Sequence, residues 1–265
     1  SSKGITTGYW MSSVYALMLQ DQLRIVACKM DKFQKLKEPM QLQTFYANLC
    51  LGSERVIRIC FDLDGTLLDT EPLYTLASQR ILDRYGATFT MDLKRRTMGG
   101  DSRVSAQIVI AEFDLPLMVD EYLDERGGHL RDLFVSAPEI AGAAEFLSHW
   151  HGRIPMGLAT SSPREMADLK LLKRSWKDMF DVVICGDDDT VGAAKPAPDI
   201  FLVCAEALGQ QPAGCVVFED SPNGVTAANA AGMRAFAIRN QYADDEALAA
   251  AYRLIDGWTV DLDLS

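Results

Sequence analysis

The chain has 265 residues, 48% of them hydrophobic and 24% charged, a mix that suits a globular fold of one large domain or a domain with an inserted module. Proline and glycine total 29 residues, too few for a collagen-like or disordered chain. The 26 basic and 37 acidic residues leave a net charge of −11, which excludes broad nucleic-acid binding and requires any anion-binding site to carry its own local positive charge.

Residues 1–52 read as an extension. The first 55 residues carry seven basic and four acidic side chains, against the acidic remainder. Tyr9 to Ala27 is rich in aromatic and aliphatic residues, and Ser13, Gln20 and Arg24 share one helical face. Such a segment packs on its own domain, docks a protein partner or serves as an amphipathic targeting sequence, and all three stay open. Its longest uncharged run, Gly4 to Gln20, has 17 residues and includes Gly, Ser and Thr, so no membrane span is expected.

From residue 55 onward strand and helix signals alternate. β-rich runs fall at Val56–Phe61, Ile154–Ala159, Asp181–Cys185, Cys215–Phe218 and Arg234–Ile238. Helical patterns fall at Ala141–Trp150, Arg164–Lys173, Ile200–Leu208, Gly224–Ala231 and Asp245–Ala251. This alternation predicts an α/β fold: a Rossmann-like, doubly wound parallel sheet with ligands beyond the carboxyl ends of its strands. The stretch between the first two strands is too long for one crossover and carries helical patterns at Val104–Phe113 and Asp120–Phe134. The predicted organisation is a core of 55–71 and 137–265 with an inserted helical cap at 72–136.

The six cysteines (28, 50, 60, 185, 204, 215) form no CxxC pair, and the three histidines offer no zinc spacing. They read as reduced thiols of an intracellular protein, cytoplasmic or in the mitochondrial matrix or another organelle.

Four segments carry chemistry. In Phe61-Asp62-Leu63-Asp64-Gly65-Thr66, an apolar strand runs into two carboxylates at i and i+2. Such a pair binds a hard divalent cation, divides nucleophile and acid duties, or is simply an acidic turn. In Phe218-Glu219-Asp220, a second strand ends in two acids. If both strands are central, four carboxylates converge and repel unless a cation such as Mg²⁺ lies among them. Lys195 stands between small residues and Pro196, either as that local positive charge or as a solvated loop lysine. Thr160-Ser161-Ser162-Pro163 follows a strand and precedes a helix, as an anion cradle or an ordinary N-cap.

Taken in order, these segments resemble the motifs of the haloacid dehalogenase superfamily: DxDGT, then a strand ending in Thr, then Lys-Pro, then Glu-Asp. The stretches KPAPDIFLVC (195–204) and FEDSPNGVTAANAAGM (218–233) are similar to its branch of β-phosphoglucomutases and sugar or nucleoside phosphatases, and within it to the pseudouridine-5'-phosphatase-like group. The resemblance implies that Asp62 is a nucleophile forming an aspartyl-phosphate, and that Asp64 is the acid for the leaving alcohol and then the base for water. It further implies that Thr160, Ser161 and Lys195 hold the phosphoryl group. Mg²⁺ would sit among Asp62, Asp64 (through its carbonyl), Glu219 and Asp220. The substrate would be a small phosphorylated metabolite, a sugar phosphate or a nucleoside 5'-phosphate such as pseudouridine 5'-phosphate.

Two departures bear on the reaction. Dehalogenases of the superfamily usually lack an acid at the Asp64 position, so phosphoryl chemistry is favoured. The mutases carry a His twelve residues after the nucleophile, where this chain has Tyr74. A phosphatase is therefore expected over a sugar phosphomutase. The third reading is a recruited subunit that keeps the motifs and joins a larger complex through residues 1–52. In the cap, Arg103 matches by position a substrate-phosphate Arg of the mutases, or is an exposed Arg at a helix start. Gly99 and Gly100 allow the backbone to approach a ligand.

Overall fold

A computed structural model describes residues 58–97 and 102–264. The expectations for residues 1–52 and for Gly99 and Gly100 fall outside these residues. The described strands form a parallel six-stranded sheet in the order β3-β2-β1-β4-β5-β6. They are β1 Arg58–Phe61, β2 Met156–Thr160, β3 Val182–Cys185, β4 Cys215–Glu219, β5 Arg234–Ile238 and β6 Arg253–Ile255. This is the doubly wound order, and β1 stands at its centre between β2 and β4.

The period of two along each strand sends alternate side chains to opposite faces. On one face Phe61, Phe218 and Phe236 pack with Phe146 of α5 (Ala143–Trp150), and Phe61 and Phe218 stack at 5.4 Å. On the other, Cys60, Val217, Ala235 and Ala237 meet Phe201 and Cys204 of α7 (Asp199–Ala207) and Ala227 and Ala228 of α8 (Pro222–Ala230). Bulky side chains fill one layer and small ones let helices close on the other. Both faces are therefore dry, which explains why these strands read as nearly continuous apolar runs. The four described cysteines (60, 185, 204, 215) are buried free thiols.

Four helices lie between β1 and α5: α1 Glu71–Leu82, α2 Met91–Thr97, α3 Ser102–Glu112 and α4 Val119–Phe134. They have their own apolar cluster, in which Ile81, Leu93, Val109 and Tyr122 are buried. A second cluster, built on Ala77, Leu130 and Phe134, packs against Met166 and Leu169 of α6 (Arg164–Leu171). Among the described residues, no helix is long and apolar enough to cross a membrane.

One predicted element is corrected. Asp245–Ala251 is a run of turns, not a helix. The Asp244 carboxylate takes the Ala247 N–H at 2.9 Å, and Arg239 draws Asp245 into an ion pair at 2.8 Å. The Asp244 bond is that of a helix N-cap, but beyond it the Ala249 N–H donates to the Glu246 carbonyl and the Ala251 N–H to the Leu248 carbonyl, three residues back, so the segment closes as successive turns. β6, three residues long, gives too short a pattern to be read from sequence.

Candidate active site

The parallel register sets the site. Phe61 lies level with Leu158 of β2 and Phe218 of β4. Asp62, Ala159 and Glu219 therefore leave the three central strands side by side at their carboxyl ends. The Asp62 amide donates to the Phe218 carbonyl at 2.9 Å, holding the two acidic tips together. Gly65 then turns with φ +84°, where a Cβ would fall 2.0 Å from an Asp220 carboxylate oxygen. Only glycine allows both the left-handed turn and that approach.

Lys195 is the centre of this platform. Its Nζ donates to Asp62 Oδ1 at 2.6 Å, to Glu219 Oε1 at 2.7 Å and to the Ala159 carbonyl at 3.2 Å. Its side chain is only 6% exposed, which rules out the solvated loop lysine. Burial works against its charge, but Asp62 and Glu219 more than compensate and hold it firmly protonated.

The acids around it differ. Glu219 is fully engaged: Oε2 accepts from the Asp220 and Ser221 amides at 2.9 and 3.0 Å and from the Ser221 hydroxyl at 3.0 Å. Gly224, in the first turn of α8, has no Cβ and so makes room for that carboxylate. Asp220 is loosely held, by Thr66 Oγ1 and Asn240 Nδ2, each at 3.4 Å. Burial, with Glu219 and Asp62 nearby, pushes the Asp220 carboxyl well up. Burial likewise raises Asp62 to about 7, with Lys195 opposing and Glu219 and Asp64 adding to the rise.

Asp62, Glu219 and Asp220 are buried and bring carboxylate oxygens within 4.8 Å of one another. With Asp64 nearby there are four carboxylates against Lys195 and Lys170, a formal excess equal to the charge of one divalent cation. An all-oxygen donor set with raised carboxyl groups suits a hard ion such as Mg²⁺.

Asp64 faces a different set of partners. Lys170 Nζ donates to its Oδ1 at 2.5 Å and Thr70 Oγ1 to the same oxygen at 2.7 Å. Ser162 Oγ donates to Oδ2 at 2.8 Å, and Thr160 Oγ1 approaches Oδ2 at 3.5 Å. Burial alone would raise this carboxyl, but Lys170 and the hydroxyls bring it below the ordinary value. Thr160 also accepts the Ser162 amide at 3.1 Å. Ser161, exposed, lines the cavity above.

That cavity, about 400 Å³, lies between the strand tips and the inserted helices. From the helices it is lined by Lys94, Arg126, Ser78, Ser102 and Ser105, with Phe89 and Val109 as apolar wall. Lys94 is buried, paired with the Glu71 carboxylate and donating to the Glu71 carbonyl at 2.9 Å. Arg126 lies over the Tyr122 ring at 5.7 Å. Arg103 does not line the cavity; it is exposed and pairs with Asp120 at 2.5 Å.

The structure thus gathers Asp62, Asp64, Ser161, Lys195, Glu219 and Asp220 around one cavity, with Thr160 buried behind Asp64 and Ser162. Sequence reading missed Lys170, Thr70, Lys94, Arg126 and Asn240. Ser162 stands inside the fourth segment, and Thr70 lies four residues beyond the end of the first. Lys170, Lys94 and Arg126 lie on helices, where one sequence gives no sign of which charge turns inward.

The family model for haloacid dehalogenase-like hydrolases matches residues 58–232. The chain is 42% identical over 185 residues to a Drosophila melanogaster protein named "Probable pseudouridine-5'-phosphatase", covering 68% of this chain and 80% of that one. It is 36% identical to the fructose-1-phosphate phosphatase YqaB of Escherichia coli (strain K12), over 70% of this chain and 98% of that one. Among solved structures, CbbY from Rhodobacter sphaeroides in complex with phosphate is similar at a TM-score of 0.64 and 25% identity, covering 76% of this chain and 94% of that one. With this sheet order, these strand-tip acids and these relatives, the chain belongs to the haloacid dehalogenase-like hydrolases and is an enzyme of their phosphatase kind.

Proposed function

We propose that the protein is a Mg²⁺-dependent phosphatase that hydrolyses a small phosphomonoester through an aspartyl-phosphate. The substrate class is a sugar phosphate or a nucleoside 5'-phosphate of the pseudouridine 5'-phosphate type. The observation that carries this reading is the Lys195 bridge between Asp62 and Glu219 at the strand tips, beside the loosely held Asp220.

In the first half, an Asp62 oxygen attacks phosphorus, the bond from phosphorus to the leaving oxygen breaks, and Asp64 supplies that oxygen with a proton. In the second half, water attacks the same phosphorus, Asp64 takes its proton, the bond to Asp62 breaks and inorganic phosphate leaves. The resting structure holds Asp64 in the deprotonated form that the second half uses, so the first half needs a proton gained as substrate enters. Lys195 neutralises the phosphoryl oxygens and orients Asp62, while Thr160 and Ser161 offer hydroxyls on the opposite side. Asp62, Asp220 and Glu219, with the Asp64 carbonyl, would hold Mg²⁺. Bound there, the ion would offset the charge shared by the nucleophile and the phosphoryl group.

The inserted helices supply the contacts to the part of the substrate that does not react. Arg126 and the serine hydroxyls suit a polyhydroxylated leaving group, and Phe89 and Val109 suit a ring face. Tyr74, in place of the mutases' His, supports hydrolysis over isomerisation. Phosphate release from a panel of sugar phosphates and nucleoside 5'-monophosphates, with Mg²⁺ and with EDTA, tests the reading. Metal-dependent release from a few compounds is expected; an isomerised phosphosugar without free phosphate, or no release from folded protein, overturns it.

A further inference from the structure

Lys170 is a buried cation that none of the family's motif segments contains. Its residue is 0% exposed, on α6 and outside the cavity lining. Burying an ammonium is costly unless it is paired. Its partners are specific: Asp64 Oδ1 at 2.5 Å and Ser162 Oγ at 2.7 Å on one side. On the other, its Nζ stands 4.2 Å from the Phe134 ring centroid and 5.7 Å from that of Tyr74. These two rings pack edge to face at 5.4 Å. Tyr74 belongs to α1, where the chain enters the inserted helices, and Phe134 ends α4, where it leaves them. The helix carrying Lys170 packs against both through Met166 and Leu169, and Arg131 of α4 pairs with Glu165 of α6 at 2.8 Å.

We infer that Lys170 is a positioning residue for the reaction: it fixes the place of the Asp64 carboxylate and ties that place to the seating of the two helices that lead into and out of the insert. Among the described residues, Lys170 is the one charged group hydrogen-bonded to the Asp64 carboxylate, and it is wedged against Phe134 and Tyr74. Shifting α1 or α4 moves the aromatic wall of Lys170, and a shifted Lys170 moves Asp64. The hydroxyls of Thr70 and Ser162 complete the cradle but are neutral, so they restrain the carboxylate less strongly. The structure thereby links closing of the cavity to alignment of the group that hands a proton to the leaving oxygen.

This inference rests on the phosphatase reading above. If the wild-type protein releases phosphate from no phosphomonoester, that reading fails before Lys170 is tested. Otherwise the experiment compares kcat/KM for an alkyl phosphate, whose leaving oxygen needs a proton, with kcat/KM for p-nitrophenyl phosphate, whose leaving group does not. In Lys170→Met the alkyl phosphate should lose about 100-fold, the lower end of what a placed general acid contributes, and p-nitrophenyl phosphate about 5-fold or less. A merely structural role lowers both equally. Equal losses, no loss, or a gain with the alkyl phosphate would overturn the inference. Should Lys170→Met fail to give a cooperative thermal transition, Phe134→Leu takes its place, because it removes the ring beneath Nζ without deleting any hydrogen-bond partner of Asp64. It should lower only the alkyl phosphate rate, by about 5- to 30-fold, the range from a weak to a desolvated cation–ring contact; an equal effect on both substrates, or none, overturns the proposal.

Discussion

The floor and the roof of the cavity are built on opposite principles. The floor is rigid backbone: Asp62, Thr160 and Glu219 sit at the tips of neighbouring parallel strands, and their separation follows from strand register. Its charges satisfy one another, with Lys195 shared between two carboxylates and Glu219 held by three further donors. The roof is a set of short helices, with Arg126 half-exposed over Tyr122 and Lys94 drawn to Glu71. The floor is suited to one reaction and the roof to choosing among substrates. The difference teaches where each kind of variant should act: floor variants on the chemical step, roof variants on recognition.

The sharpest test of that division is the nucleophile. Asp62→Asn, with Mg²⁺ present, should lower phosphate release on the order of 10⁴-fold or more while the protein stays folded. Turnover near wild type would remove the aspartyl-phosphate and with it the special status of the floor. Next is Lys195→Met, expected to cost about 100- to 1,000-fold in kcat, the scale of a lost electrostatic contact to the transition state. It should also lower the thermal midpoint, because it leaves buried carboxylates without their cation. A change confined to KM would place Lys195 among recognition residues and blur the comparison.

Roof variants should behave differently. Arg126→Ala should raise KM for the best natural substrate about 10-fold, roughly one bidentate contact, and leave kcat/KM for p-nitrophenyl phosphate nearly unchanged. Equal losses on both substrates would show that Arg126 serves the chemistry instead. Arg103→Ala, in an exposed pair with Asp120, should change neither by more than about 2-fold.

The smallest effect concerns metal and pH. Asp62 is raised to about 7 and Asp220 also upward, both by burial, so without metal the folded state binds more protons than the unfolded one between about 4 and 7. Stability of the metal-free protein should therefore fall as pH rises through that window. Mg²⁺ competes with those protons, so it should raise the thermal midpoint by a few degrees more at pH 8 than at pH 5. Scanning calorimetry in EDTA and in Mg²⁺ at both pH values reads this directly. A metal effect independent of pH would separate the ion from Asp62 and Asp220.

Much of the floor was legible because its parts are contiguous in sequence. A strand that is apolar on both faces must end somewhere, and acids placed just past the end cannot stay in a dry sheet. Asp62, Asp64, Glu219 and Asp220 could be found for that reason, and five strands could be placed within about two residues, the usual fuzziness of element ends. The run Asp245–Ala251 has a helical composition, but its backbone closes in three-residue turns and Arg239 draws Asp245 into an ion pair. Arg103 had two readings from sequence, a substrate contact and an exposed Arg at a helix start, and its guanidinium pairs with Asp120 at the surface.

By itself, the sequence determined the alternation of strands and helices, the acidic strand tips and the need for a cation between them, because these follow from local periodicity and the cost of unpaired charge. Only the tertiary structure decided which cations meet which acids. Lys195 reaches Asp62 across 133 positions of chain and Lys170 reaches Asp64 across 106. Such pairings depend on how helices rotate as they pack on the sheet and on one another. A rotation of one residue turns a helical side chain by about 100°, enough to carry a lysine from solvent to the buried side of an active site.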